Sequence, residues 1–217
     1  MEILNNQPNT VEIDMLMKKL ISYFPYGNIN KIKLECLKNL FNRFEFIKDH
    51  MNIIGERVMF TKNLIMEEVT PPPQYEVWPI HTNKSIVFLS EIMKISFNEA
   101  QNFLIQMREE LPEQAEKMYT VYIVNHEPIG VVLPHIEPRT DKEGRIFWIG
   151  IHPRFLGTKL GKNLHTIGLY RLKNEFKANS YLGITKIDNH AMKKVMISNN
   201  CLQNENTLIS LEYISEK

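Results

Sequence analysis

The stretch from Ile146 to His165 constrains this chain more than any other. An unbroken apolar run, Ile146-Phe-Trp-Ile-Gly-Ile151, enters it, and an amphipathic helical pattern leaves it. Between them stand Pro153, Gly157 and Gly161, with Lys159 and Lys162 close by. A continuous apolar run of this length predicts a strand buried on both faces. A strand that turns through glycines into a helix leaves free N–H groups at the positive end of the helix dipole. Such an end is a natural seat for a phosphate. Two other phosphate motifs fail on spacing. Gly157 to Gly161-Lys162 is one residue short of a P-loop, and Asn163 stands where a Ser or Thr would hold magnesium. No Gly-x-Gly occurs, which excludes the dinucleotide fingerprint.

The totals narrow the setting. At 217 residues, with 43% hydrophobic and 24% charged side chains, the chain can build one large domain or two modest ones. A net charge of +1 gives no electrostatic case for nucleic acid or an acidic membrane as partner. Cys36 and Cys201 lack metal-ligand spacing and read as free thiols in a reducing cytoplasm. The start, Met1 to Pro8, lacks a basic, apolar signal sequence, and no apolar run approaches the ~18 residues of a membrane span. No HExxH pair occurs among the seven histidines, so no zinc site is expected.

Periodicity divides the chain. Residues 10–24 predict a helix capped by Thr10 and stopped by Pro25-Tyr-Gly-Asn28, and 30–50 predict a second helix on the stripe Leu37, Leu40, Phe41, Phe44, Ile47. Short strands are expected at 58–60 and 64–69. Pro71-Pro-Pro73 then reads as a linker, which makes residues 1–70 a small, mostly helical module. Beyond it the expected order is a strand at 75–80, helices at 85–97 and 98–111, strands at 119–124, 129–133 and 146–151, a helix at 158–176, a strand at 181–187, a helix at 189–198 and a strand at 207–213. Asn98 and Gln101 are spaced as a capping box. The order predicts an α+β, or mixed α/β, domain with a largely antiparallel sheet.

Together with this order, Ile151-His-Pro-Arg-Phe-Leu-Gly-Thr-Lys-Leu-Gly-Lys162 resembles the GNAT superfamily of N-acetyltransferases, over about residues 74–217. The resemblance implies a twisted, largely antiparallel sheet flanked by helices. It implies acetyl-CoA or another acyl-CoA as cosubstrate, no metal, and direct transfer of the acyl group to an amine of a small molecule or peptide. The family motif, Arg/Gln-x-x-Gly-x-Gly/Ala, falls on Leu156, Gly157, Thr158, Lys159, Leu160 and Gly161, whose amides, with Lys162, would hold the pyrophosphate. Ile149, Gly150 and Ile151 would offer backbone groups to the pantetheine, and Asn189, which opens Asn189-His-Ala-Met192, would contact the same arm. Leu156 replaces the usual Arg or Gln, Lys159 replaces a usual Gly, and Met196 stands where many relatives carry a thiolate-protonating Tyr.

The missing acid is the smaller difficulty. A thiol leaves readily, with a reference pKa of about 8.5, whereas making a lysine-type amine neutral at pH 7 costs about 4 kcal/mol. A base therefore matters more than an acid. The run 146–151 has no carboxylate, so the candidates are His152 after it, and Glu137, Glu143, Asp141 or His135 before it. A histidine ending a strand before a proline also has a structural reading, and the acidic residues of 137–144 also read as a solvated loop. The same substitutions support a reading of another class: a non-catalytic acyl-CoA sensor or adaptor whose N-terminal helices bind a protein partner. Those helices leave a homodimer open as well.

Overall fold

The structure is a computed structural model. It describes residues 2–3, 9–23, 31–66 and 69–214. The expected helix stop at Pro25–Asn28 and residues 67–68 of an expected strand lie outside the described residues. The chain forms two compact units: one of residues 1–59, 184–190 and 203–217, the other of residues 60–183 and 191–202. Pro71–Pro73 lies inside the second unit.

In the first unit, β1 (Glu2–Ile3) runs parallel to β2 (Lys31–Leu37). β2 pairs antiparallel with β9 (Leu202–Ile214), from Lys31↔Ile214 to Leu37↔Leu208. The helix expected over 30–50 is therefore broken: after β2 come two short helices, α2 (Lys38–Phe41) and α3 (Phe46–His50). The stripe residues Leu37, Leu40, Phe44 and Ile47 are all buried, but from three different elements. α1 (Thr10–Ser22) is capped by Asn9, whose side chain accepts the Glu12 N–H, and not by Thr10. β3 (Asn52–Asn63) extends the short strand expected at 58–60 in both directions, but the strand expected at 64–69 does not form over its described residues: 64–66 are a turn.

The second unit follows the expected order closely. It runs β4 (Tyr75–Val77), α4 (Asn83–Met93), α5 (Phe97–Glu110), the unforeseen α6 (Ala115–Met118), β5 (Thr120–Val124), β6 (Glu127–Ile136), β7 (Glu143–Ile151), α7 (Gly161–Asn174), β8 (Ser180–Lys186) and α8 (His190–Ser198). β4, β5, β6 and β7 pair antiparallel in turn, and β7 runs parallel to β8. The capping box of α5 sits two residues earlier than expected, with Ser96 Oγ accepting the Glu99 N–H and the Glu99 carboxylate accepting the Ser96 N–H. One apolar layer, including Trp78, Phe88, Leu89, Leu104, Met107 and Val131, lies between α4–α5 and the sheet. The other, with Val132, Leu164 and Ile167, lies under α7.

Candidate functional site

β7 changes character along its length. Val132 of β6 faces Ile149, and Pro134 faces Ile146. Leu133 alone therefore stands opposite both Phe147 and Trp148, which is a β-bulge in β7. The extra residue breaks the alternation of faces. Phe147 and Trp148 both pack into the α4–α5 layer, while Ile146, Ile149 and Ile151 face the α7 layer. On its other side β7 is registered with β8 at Glu143↔Ser180 and Gly144↔Tyr181, and the register ends there. Among the described residues the rest of β7 has an open edge on that side. Ile146 to Ile151 are accordingly half-buried, where the apolar run predicted burial on both faces.

The turn after β7 is built from backbone conformations that oppose a helix. Pro153–Phe155 make a single 3-10 turn, Gly157 has φ +81°, and Lys159 has φ +63°. A left-handed residue cannot sit inside a right-handed helix, so α7 starts at Gly161 and not at Thr158. Leu160 at the N-cap offers no side-chain hydrogen bond, and the first-turn amides of α7 are left uncapped by it. Gly161 permits a close approach to α8: a Cβ there would stand 3.3 Å from Val195 Cγ2. A cleft of about 530 Å³ opens between these parts. Ile151, Leu156, Gly157, Lys159, Leu160, Gly161 and Lys162 all line it, as do Phe155 and, from α8, Ala191, Lys194, Val195 and Ser198. Thr158 is in the same loop and donates its hydroxyl to the Phe155 carbonyl. Ile149 and Gly150 lie in the open-edged part of β7. Asn189 belongs to the first unit, where it is exposed and donates to Thr185 Oγ1 at 3.0 Å.

The five titratable candidates do not converge: Glu137, Glu143 and His135 gather at one end of β7, Asp141 is exposed in the loop before it, and His152 stands past the other end. Glu137 and Glu143 share Arg145, at 3.5 and 2.8 Å, where β6 turns into β7, and Glu137 also lies 3.3 Å from His135 Nε2. Burial lowers the pKa of His135 against the pull of Glu137. His152 follows the opposite end of β7, up to about 30 Å from Glu143 at roughly 3.3 Å per strand residue. Its Nδ1 accepts the Arg154 N–H at 3.2 Å, its Nε2 is 3.4 Å from a Glu91 carboxylate oxygen, and its ring stacks on Phe88 at 5.8 Å. Both ring nitrogens are therefore engaged, one in shaping the glycine loop and the other on α4. Sequence reasoning missed Glu91, Lys194 and the bulge. None of them carries a local pattern, although the strand rise alone separates Glu143 from Ile151.

A partly buried polar network links α7 to the end of α8. Asn199 Nδ2 donates to the Lys162 carbonyl at 3.1 Å and lies 2.9 Å from His165 Nδ1, while its Oδ1 accepts from Thr166. With Nδ1 as acceptor, His165 Nε2 carries the proton toward the Tyr181 hydroxyl, 3.0 Å away. Burial, and then the charge of Lys62, lower the His165 pKa to about 3, so the ring is neutral. Met196 is buried next to this network, with its Cε 2.9 Å from where a Gly183 Cβ would be. Cys36 and Cys201 are buried and form no disulfide, and the Cys201 thiol donates to the Asn199 carbonyl. Among the described residues no helix is long and apolar enough to cross a membrane.

No protein-family model matches the chain, and a search of curated proteins finds no match by sequence. Solved structures do match it. An acetyltransferase of the GNAT family from Colwellia psychrerythraea superposes with TM-score 0.65 at 9% identity, covering 98% of this chain and 77% of that one. GCN5-related N-acetyltransferases from Kribbella flavida and Sphaerobacter thermophilus superpose with TM-scores 0.61 and 0.62, each at 8% identity, covering 96% and 94% of this chain and 77% and 67% of theirs. The chain thus has the GNAT fold, an α+β architecture with a mixed sheet flanked by helices.

Proposed function

We propose, on the premise of this fold, that the chain is an acyl-CoA-dependent N-acyltransferase that passes an acyl group, acetyl in the first instance, directly to an amine. One observation carries the reading: the open edge of β7 runs straight into a left-handed glycine loop and an uncapped helix start, all on one cleft. The residues fit such a cosubstrate. The dipole of α7 and the amides of Gly157 and of Lys159 to Lys162 suit a pyrophosphate, while those of Leu156 and Thr158 already donate to the Pro153 and Phe155 carbonyls; Lys159, Lys162 and Lys194 add positive charge. Ile151, Phe155, Leu160 and Val195 give the apolar wall that a pantetheine arm requires. Lys159 already holds the left-handed backbone that the family's glycine adopts freely, so the replacement keeps the loop path. Acyl-CoA supplies an activated thioester; the protein's part is to hold it beside the edge of β7 and to exclude water. Of the five titratable candidates only His152 is retained. Its Nδ1 would have to release the Arg154 N–H to accept a proton.

That engagement of His152 also favours the second reading, a non-catalytic acyl-CoA sensor. Thiol release from acetyl-CoA across a broad amine panel separates the two. Turnover on any amine supports the enzyme; tight binding without turnover supports the sensor. Binding itself is tested by calorimetry on Gly157→Val. A Cβ at Gly157 meets nothing within 4 Å, so the fold tolerates it, but φ +81° is barred to a β-branched residue. The loop must therefore rearrange, and coenzyme A affinity should fall by about tenfold or more, for a conformational cost of about 1–2 kcal/mol. Unchanged affinity would remove the loop from the cofactor site.

A further inference from the structure

We infer that the outer face of α1 is an interface, and that it takes a second copy of this chain, antiparallel across a two-fold axis. The inference does not depend on the acyl-CoA reading of the cleft: α1 lies in the first unit and the cleft residues in the second. α1 meets its own unit through Met17, which is 1% exposed, with Ile13 and Ile21 half-buried on the same side. Around the rest of the helix, Val11, Met15, Leu16, Leu20 and, at the C-cap, Tyr23 are each 49–65% exposed. A helix that is apolar all round belongs in a buried setting. Five such side chains present roughly several hundred Å² of apolar surface, the size of patch that marks an interaction site.

The charges inside this face choose the occupant. Glu12 and Lys19 stand among the apolar side chains, and both are exposed. Among the described residues no ion pair or side-chain hydrogen bond engages either charge. They are seven residues apart, so they lie within about 20° of each other around the helix. Each is also about 5 Å along the helix from the point midway between Met15 and Leu16. A two-fold axis through that point reverses the second helix and sets Glu12 level with Lys19 of the partner subunit, twice over. Met15 and Leu16 of the two copies then meet at the axis. A parallel arrangement would set like charges against each other instead. The face is thus complementary to itself, as an isologous contact requires. An acidic lipid surface is the other occupant that suits an apolar helix face, and it would repel Glu12. A contact of this size is at the small end for a stable dimer, so association is expected at micromolar concentrations.

The test is sedimentation equilibrium of the full chain from about 1 to about 100 μM, the range in which a micromolar dimer dissociates. The wild type should pass from monomer to dimer across it. Glu12→Lys and Lys19→Glu should each weaken the dimer about tenfold or more, since each acts at both pairs. Mixed in equal amounts, the two variants should associate as strongly as the wild type, because every pair in the mixed dimer is again of opposite sign. The double variant should recover as well. Both swaps oppose the dipole of α1, but fraying of the helix would weaken the mixture too, so recovery reports pairing alone. A wild type that stays monomeric overturns the interface. A dimer that neither swap weakens lies on another face, and loss without recovery in the mixture overturns the antiparallel register; either result sinks the proposal. A last arm spins the wild type with vesicles of phosphatidylcholine and phosphatidylserine. A monomer that co-sediments with them, and is released by Leu16→Lys, would assign the face to a lipid surface and overturn the dimer.

Discussion

His165 shows how a single residue ties stability to pH. Its ordinary value of 6.5 falls to about 3 in the folded protein, by burial first and the charge of Lys62 second. The unfolded chain then takes up a proton that the folded chain refuses. Stability from this residue is fully present above pH 6.5 and is lost as pH falls from 6.5 toward 3, by about 1.4 kcal/mol per pH unit. His165→Gln can still donate to Tyr181 and accept from Asn199, but it does not titrate. Urea unfolding between pH 4.5 and 7 should show a shallower slope for that variant than for the wild type; equal slopes would mean that His165 is protonated in the fold. The glycine loop was legible at this same scale, because positive φ leaves a trace in residue type at Gly157. The base was not legible. Glu137 and Glu143 are near Ile151 in sequence, and only the extended strand between them carries them away from the cleft.

Among the elements, the region after α1 shows what a hydrophobic stripe can and cannot say. Leu37, Leu40, Phe44 and Ile47 recur at helical spacing and are all buried, yet they belong to a strand end, a helical turn, the link between two helices and a second helix. Spacing reports which residues face a core, not the conformation that takes them there. A contrary signal was present: Lys31-Ile-Lys-Leu-Glu-Cys alternates charged and apolar residues with period two, the mark of β2. The second half of the misreading has a tertiary cause. α3 is only five residues long, and its start is capped by Asp14 of α1, whose carboxylate accepts the N–H groups of Glu45, Phe46 and Ile47 at 2.8, 3.3 and 3.1 Å. Three amide bonds to one carboxylate, partly exposed, contribute about 1.5–3 kcal/mol. Asp14→Ala should lower unfolding stability by that amount, more than Asn9→Ala at the α1 cap, which should cost about 1 kcal/mol. The same order of the two losses in urea midpoints is the check; an Asp14 variant with the smaller loss would show that α3 stands without its distant cap.

At the scale of the whole molecule, the order of elements from Tyr75 onward was legible because each one announces itself within its own residues. The return of the chain to the first unit was not, because a β-pair leaves no local sign of its partner. The Glu35 carboxylate accepts the Ser210 hydroxyl at 2.8 Å across 175 residues of chain, and β2 supplies the backbone partners of β9 from Leu208 to Ile214. Leu208, Ile209 and Leu211 of β9 are buried in that unit. A boundary at about residue 70, the one the three prolines suggest, would separate β9 from β2. A fragment of residues 74–217 would then lose β2 and β3, the neighbours of β9 on its two sides, and carry a 13-residue strand with both edges unpaired, a template for association with other chains. It would also expose three apolar side chains whose burial contributes about 1.5–3 kcal/mol each. The fragment should therefore aggregate or elute as mixed oligomers in size-exclusion chromatography, while the full chain gives a defined species under the same conditions. Charged substitutions on the buried face of β9, such as Leu211→Lys, should damage the full chain in the same way, since they remove the same packing without cutting the backbone. A monodisperse fragment 74–217 with a cooperative melt would show instead that β9 folds without β2 and β3, and that the GNAT-like part stands alone.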